Sequence, residues 1–268
     1  MIRIRLFSTV LLMIIMSNGT KAQNSSSEKS NPSLIWADEF NGTGLPDASK
    51  WGYETGFVRN DEKQYYTLER TQNVRQEAGN LVIESLKEDF KGAKYTSASI
   101  NTLDKKSFDG DIRVEVKAKL PKGKGIWPAI WMMGANIKQV GWPKCGELDV
   151  MEFVGHTPGK IFGTLHWSDN TKAKDDSHMS KGSSMMVSDL HTSFHVYSLE
   201  RKGNAISLFI DGKNLLTFTA PATAYENTFT GPLYLLLNTA VGGSWGGEID
   251  DSIFPQQYLI DYVRVYKI

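Results

Sequence analysis

Alternation of apolar and charged residues is the sequence feature that most limits what this chain can fold into. Between residues 111 and 120, the apolar side chains of Ile112, Val114, Val116 and Ala118 alternate with charged ones. A period of two residues is that of a β-strand with one buried face and one solvated face. No comparable stretch shows the longer period of a helix. The chain is therefore expected to fold mainly as strands.

The same reasoning predicts a hairpin and several further strands. Residues 206–218 carry apolar side chains on both sides of Asp211 and Gly212, a pair that favours a two-residue hairpin turn. Many short strands with Gly- and Pro-rich turns are typical of sandwiches and barrels. We expect an all-β fold, a β-jelly-roll sandwich of two curved antiparallel sheets with a concave groove; the sequence leaves a barrel open. Other segments with strand character are 80–86, 194–200, 233–237 and 258–266.

The first residues have the layout of a secretory signal peptide. Arg3 and Arg5 precede an apolar run at residues 6–16, and small or polar residues follow up to Ala22. The apolar run is too short to span a membrane. We therefore expect residues 1–22 to be removed on export to the periplasm or the cell exterior, and the mature protein to have no membrane span.

The remaining chain is expected to be one monomeric domain behind a polar segment. Residues 23–33 are polar and low in complexity, as in a flexible leader, and residues 34–268 contain no further linker or repeat. The 268 residues include 30 basic and 30 acidic side chains, and removal of the signal peptide leaves 27 and 30. This balance lacks the basic face that nucleic-acid binding requires. The single cysteine, Cys145, cannot form an internal disulfide and is expected to be a buried free thiol.

Three acids stand close together in the segment 146–155, GELDVMEFVG. In a regular strand Glu147 and Asp149 share one face, and Glu152 points to the other. One extra residue near Val150 or Met151, a β-bulge, would return Glu152 to the face of the other two. The two glutamate carboxyls could then approach to about 5–5.5 Å, the separation used by retaining glycosidases.

This carboxylate strand has three interpretations on its residues alone. Alternating charge is common on the solvated face of an antiparallel sheet, and three carboxylates also suit a hard cation such as calcium. The third interpretation is a nucleophile and a general acid, because like charges held close together raise one pKa and separate the two roles.

A resemblance to a known family favours the third interpretation. The order Glu-x-Asp-x-x-Glu resembles the active-site strand of glycoside hydrolase family 16, in the form found in laminarinase-like β-glucanases, and the resemblance covers nearly the whole mature chain. The segments that carry it are 36–42 (WADEFNG), 64–67 (QYYT), 79–83 (GNLVI), 95–98 (YTSA), 123–134 (GKGIWPAIWMMG), 141–147 (GWPKCGE), 163–166 (GTLH), 237–243 (LNTAVGG) and 261–266 (DYVRVY).

The resemblance implies a jelly-roll endo-β-1,3-glucanase that cleaves with retention of configuration and needs no cofactor for catalysis. Carried over by position, Glu147 is the nucleophile, Glu152 the general acid/base and Asp149 an assisting carboxylate. It also implies a structural calcium ion on the convex side, held by Asp261 and by backbone oxygens of Glu39 and Gly79.

Aromatic and polar residues around the carboxylate strand are candidates for binding sugar. Sugar rings stack on aromatic side chains through their C–H faces, and their hydroxyls need hydrogen-bond partners. By the family pattern Trp127, Trp131 and Trp142 lie in the cleft. The other candidates are Trp245 on a Gly-rich loop, His166 as a partner of a carboxylate or of sugar, Asn60 and Glu62.

Two groups of alternatives stay open at this point. The same fold could act on mixed-linkage β-1,3-1,4-glucan or on a marine galactan, although a sulfated galactan should call for cleft arginines and Arg59 is the one candidate. The chain could also be a non-catalytic β-glucan-binding module, but such relatives typically lack the two glutamates.

Overall fold

A computed structural model describes residues 32–173 and 177–268. The predicted signal peptide at 1–22, and the leader at 23–33 up to residue 31, lie outside the described residues. Two single-turn helices, α1 (Ile137–Val140) and α2 (Gly243–Gly246), and a 3₁₀ turn at Asp251–Ile253 accompany the strands. The strands are β1 Ser33–Asp38, β2 Gly52–Glu54, β3 Gln64–Tyr66, β4 Val74–Glu77, β5 Asn80–Phe90, β6 Ala93–Ser97, β7 Ser99–Asn101, β8 Ile112–Lys119, β9 Ile126–Gly134, β10 Glu147–Phe153, β11 Lys160–Ser168, β12 His178–Met186, β13 His195–Lys202, β14 Ala205–Ile210, β15 Lys213–Thr219, β16 Leu233–Val241 and β17 Gln256–Lys267.

The strands form two sheets, and the predicted all-β sandwich is confirmed. The ten-stranded sheet follows the order β15-β14-β13-β8-β17-β5-β6-β3, with β1 beside β17 and β4 beside β5. The seven-stranded sheet follows the order β12-β11-β10-β9-β16-β7-β2. Pairing is antiparallel except between β3 and β6. About half of the paired strands are consecutive in the chain, and the others are brought together from distant parts of the sequence, as in a jelly roll.

Side chains from both sheets meet in one apolar core. On β8, Ile112, Val114 and Val116 point inward and are buried, and β10 contributes Leu148 and Val150 to the same cluster. Each aliphatic side chain that is buried in this way contributes about 1.5–3 kcal/mol. The alternation in the sequence is therefore the pattern of a strand with its apolar face on this core.

The second face of the seven-stranded sheet is also covered. Along β9 every residue is buried: Ile130 and Met132 point into the core, and Trp127 and Trp131 lie on the opposite face. Strand β16 is buried along its whole length in the same way. A groove runs over this second face.

The predicted hairpin and the predicted free thiol are confirmed. Strands β14 and β15 are joined at Asp211 and Gly212, whose φ angles of 49° and 73° are those of a type I′ turn. Cys145 is fully buried and unpaired, and burial raises the pKa of its thiol to about 12. Within residues 32–173 and 177–268, no helix has the length and apolar character needed to cross a membrane.

Candidate active site

Strand β10 carries the predicted bulge. Its pairing with β9 shifts between Asp149 and Met151, and its pairing with β11 shifts between Asp149 and Glu152. Val150 and Met151 both pack into the core, so one extra residue is absorbed and Glu152 returns to the groove. All three acids of the strand therefore lie on one face.

A glycine on the neighbouring strand lies opposite this bulge and lets two leucines of the other sheet approach closely. Gly163 of β11 lies between the residues that pair with Asp149 and Glu152. A Cβ atom at this position would lie 2.8 Å from side-chain carbons of Leu208 and Leu215. Gly in a strand interior often marks such a bulge or close approach.

The groove is a cavity of about 590 Å³ with acids on its floor and aromatic side chains along its walls. It brings together eight of the predicted site residues. These are Asn60, Glu62, Trp127, Trp131, Trp142, Glu147, Asp149 and Glu152. Residues that sequence reasoning missed complete the lining: Glu54, Leu103, Ala129, Met133, Ile137, Lys138, Tyr234 and Asn238, beside Arg59.

The environments of the two glutamates differ. Burial raises the pKa of Glu152 well above its ordinary value, and the charges of Asp149 and Glu147 raise it further, against one hydrogen bond from Trp127. Burial also raises the pKa of Glu147, but His166, a hydrogen bond from Trp142 and the charge of Arg59 all oppose the rise. Glu147 therefore ionises more readily, and Glu152 holds its proton more tightly.

The acid between them is the most deeply buried of the three. Asp149 is 3% exposed. Burial raises its pKa well above the ordinary value, and the charge of Glu147 adds to the rise. His166 of β11 lies directly opposite Glu147, with Nε2 at 3.3 Å from Asp149 Oδ2 and 3.8 Å from Glu147 Oε1. The structure thus brings His166 to the carboxylates, as one of its predicted roles requires.

The three predicted tryptophans differ in what they present to the groove. Trp142 is 48% exposed, whereas Trp127 and Trp131 are 9% and 6% exposed. Trp127 donates its indole N–H to Glu152 Oε1 at 3.0 Å. Trp131 donates to Asn238 Oδ1 at 2.8 Å, and the Arg59 guanidinium carbon lies 4.9 Å from its ring centroid. Trp142 therefore offers an exposed ring on which a sugar could stack, and Trp127 and Trp131 mainly hold polar side chains in place.

Trp245 lies beside the groove rather than in its lining. It belongs to α2, and its ring packs edge-on against Trp127 at 5.4 Å and against Phe162 at 5.0 Å between centroids. In this arrangement Trp245 supports Trp127 from outside the cavity.

Asn60 and Glu62 belong to a hydrogen-bond network that reaches across the groove floor. The Glu62 carboxylate accepts hydrogen bonds from Gln64 at 2.6 Å, from Tyr66 at 3.1 Å and from Asn60 at 3.3 Å. Asn238 donates to the Tyr66 hydroxyl at 2.9 Å and so joins the network to Trp131. The one signal for Asn238 in the sequence is a polar side chain inside the apolar run of β16.

Two sets of residues offer oxygen or nitrogen donors for a metal ion. In the described part of the chain, donor atoms of Glu147, Asp149 and His166 lie within 4.8 Å of one another, close enough for one ion. In the set implied by the resemblance, the one side-chain donor, the Asp261 carboxylate, already has a basic partner, and the other two donors are backbone oxygens of Glu39 and Gly79. Asp261 Oδ2 contacts Lys117 Nζ at 2.7 Å, and the Glu39 carboxylate pairs with Arg264. Gly79 lies in the turn between β4 and β5.

Glycoside hydrolases act through two carboxyl groups that flank the bond to be cleaved, and Glu147 and Glu152 line one groove as such a pair would. Comparison with known proteins agrees. A family model described as "Glycosyl hydrolases family 16" matches residues 61–264. The chain therefore belongs to this family and is a glycoside hydrolase, and enzymes of this family need no catalytic cofactor.

Three similar proteins illustrate the range of this family. A beta-glucanase of Rhodothermus marinus is 38% identical over 96% of this chain and 93% of its own length. The X-ray structure of the laminarinase from the same organism superposes with a TM-score of 0.81 at 38% identity, covering 88% of this chain and 98% of that one. A keratan-sulfate endo-1,4-beta-galactosidase of Sphingobacterium multivorum is 33% identical over 88% of this chain and 55% of its own length.

Proposed function

We propose that this protein is a retaining endo-β-1,3-glucanase of the laminarinase type. The observation that carries the proposal is the bulge in β10, which places Glu147, Asp149 and Glu152 together on the floor of a groove. The beta-glucanase and the laminarinase of Rhodothermus marinus, both similar over most of this chain, support β-1,3-glucan as the substrate.

In the proposed mechanism the two glutamates divide the work by their environments. Glu147, whose ionised form is favoured by His166, Trp142 and Arg59, attacks the anomeric carbon. Glu152, which holds its proton, donates it to the leaving oxygen. Glu152 then removes a proton from the water that releases the glycosyl-enzyme, and configuration is retained after two displacements. Asp149, between them, orients a glutamate.

The charges of the groove favour a neutral glucan over a sulfated galactan. Two cationic side chains, Arg59 and Lys138, line the cavity. Arg59 is paired with Glu54, and Lys138 Nζ lies 2.6 Å from Asp104 Oδ2. Both cations already have an acidic partner, and the exposed ring of Trp142 suits the apolar face of a glucose unit.

Product analysis on several polysaccharides tests the substrate and the endo mode together. We expect reduced laminarin to yield a ladder of short oligosaccharides early in the reaction, with slower release from lichenan and none from agarose or keratan sulfate. Faster cleavage of lichenan would favour the mixed-linkage alternative, and cleavage of agarose or keratan sulfate would favour a galactanase. Release of glucose alone from chain ends would contradict endo action.

The second candidate function is not enzymatic: the protein would be a non-catalytic glucan-binding module. Both glutamates are present, and the residues that would set their ionisation surround them. Binding of laminarin without any release of reducing ends would support the module and contradict the enzyme.

Export and a monomeric state complete the proposal. Residues 1–22 have the signal-peptide pattern, so we expect the mature chain to begin near residue 23 and to be recovered outside the cytoplasm. N-terminal sequencing of the fractionated protein and its mass in solution test both points. A chain that retains residue 1, or a mass of twice the chain, would contradict them.

A structural calcium ion near Asp261 is a separate part of the proposal. The carbonyl groups of Glu39 and Gly79 and the carboxylate of Asp261 are oxygen donors, which calcium prefers. The ion would compete with Lys117 for Asp261. We expect calcium to raise the melting temperature of the wild type but not of Asp261→Asn; no calcium effect on the wild type would contradict the site.

A further inference from the structure

His178 lies beside His166, although no sequence pattern singled it out. It begins β12, the edge strand of the seven-stranded sheet, and pairs with Ser168 of β11. Its ring is exposed and lies 4.6 Å from the ring of Trp142 and 5.2 Å from that of His166, between centroids. His178 therefore contacts both Trp142 and His166.

A continuous line of polar contacts runs from His178 to the acids. His178 Nε2 lies 2.9 Å from Nδ1 of His166, a hydrogen-bond distance. On the other side of the His166 ring, Nε2 faces Asp149 Oδ2 at 3.3 Å and Glu147 Oε1 at 3.8 Å. Each nitrogen of His166 therefore has its own partner.

Each neutral imidazole carries one N–H, and this limits which ring nitrogens of His166 and His178 can donate. Burial lowers the pKa of both imidazoles, which favours rings that carry one N–H each. If His166 donated from Nδ1 to His178, its bare Nε2 lone pair would face the oxygens of Asp149 and Glu147. That arrangement sets the lone pair against the ionised carboxylate of Glu147, and also against Asp149 unless Asp149 carries a proton. If His178 donates instead, the proton of His166 sits on Nε2 and points at the carboxylates.

We propose that His178 is a positioning residue that holds the proton of His166 on Nε2, facing Asp149 and Glu147. The inference rests on the proposed function, in which Glu147 is the ionised nucleophile. His178 would act on His166 from outside the site. The hydrogen bond at one ring nitrogen of a histidine decides whether the other nitrogen is a donor or an acceptor. Trp142 packs against the His178 ring and keeps its Nε2 directed at His166.

Three variants of β12 separate the hydrogen bond from the packing. His178→Phe keeps a ring against Trp142 but has no donor, and His178→Gln keeps an amide N–H near the position of Nε2. Ser180→Ala is the matched control, because Ser180 is exposed and lies opposite His166 in the strand register. Loss of one hydrogen bond should lower kcat on laminarin about threefold to tenfold in His178→Phe, with little change in KM. His178→Gln should recover most of it, and Ser180→Ala should match the wild type.

A readout that does not depend on substrate decides the inference. Nitrogen-15 NMR of the imidazole groups in the full-length protein should show His166 protonated on Nε2 in the wild type and a larger Nδ1-protonated fraction in His178→Phe. An unchanged His166 tautomer in a folded His178→Phe protein would overturn the inference, as would a Gln variant as slow as the Phe variant. If the wild type cleaves no glucan, the proposed function fails, and the NMR result still decides the role of His178.

Discussion

Strands β8 and β10 both carry charged side chains at alternate positions, but they use them in opposite ways. On β8, Arg113 pairs with Glu115, and Lys117 pairs with Asp261 of β17. The acids of β10 face a groove, and among the described residues the basic side chain in contact with them is His166. On β8 each of these charges has a partner of opposite sign, one of them Asp261 at a register shift in β17, whereas the bulge on β10 brings three acids together.

The pKa shifts follow from this difference. The hydrogen bond to Asp261 raises the pKa of Lys117, so that its charged form is favoured. Burial raises the pKa values of Glu147, Asp149 and Glu152, so that their charged forms are disfavoured. The fold thus gains stability from paired charges on a strand of one sheet and loses some of it on a strand of the other, where buried acids can do chemistry.

The largest contrast should be in activity. Glu147→Gln and Glu152→Gln each remove a reacting carboxyl, and we expect hydrolysis of laminarin to fall by at least about a thousandfold in both. Glu115→Gln on β8 is the matched control and should retain wild-type activity, because Glu115 lies on the ten-stranded sheet away from the groove. Initial rates of reducing-end release measure both. Turnover near the wild-type rate in either β10 variant would contradict the assignment of Glu147 and Glu152 as the reacting carboxyl groups.

On their core faces the two strands should behave alike. Ile112 of β8 and Leu148 of β10 are both fully buried in the same apolar cluster. Truncation to alanine removes buried surface and leaves a cavity, so Ile112→Ala and Leu148→Ala should each cost about 2–5 kcal/mol of unfolding free energy. Urea titration followed by tryptophan fluorescence gives the values. A loss below about 1 kcal/mol at Leu148 would mean that the bulged strand is not part of the core.

Replacing a glutamate by glutamine should have a smaller effect on thermal stability, and this effect should have opposite signs on the two strands. The raised pKa of Glu152 means that its contribution to stability is full below the ordinary value of about 4.5 and is lost as the pH rises through the folded-state pKa. Glutamine cannot lose a proton, so Glu152→Gln should melt higher than the wild type near neutral pH, with the difference vanishing in acid. Glu115→Gln removes the charge that faces Arg113 but keeps an acceptor oxygen, so near neutral pH it should lower the melting temperature, with a loss of up to about 1 kcal/mol of unfolding free energy. Melting curves across pH that show the same sign for both variants would contradict the contrast.

Local sequence pattern predicted β8 almost completely and β10 in its essentials. The alternation on β8 maps directly onto one buried and one solvated face, and the spacing of Glu147, Asp149 and Glu152 required a bulge to bring the acids together. His178 and Asn238 could not be found in this way, because they reach the site through strand pairings that no local pattern encodes. The burial of Trp131 beneath Arg59 depends on a loop from a distant part of the chain for the same reason.

The most direct test of the carboxylate pair on β10 is to trap the glycosyl-enzyme. An activated 2-deoxy-2-fluoro laminaribioside slows release of the intermediate, and mass spectrometry of peptides from the trapped protein locates the sugar. We predict one disaccharide per chain, bonded to Glu147, and none on Glu147→Gln. A label on Glu152, or complete turnover of the reagent by the Glu147→Gln protein, would contradict the role of Glu147.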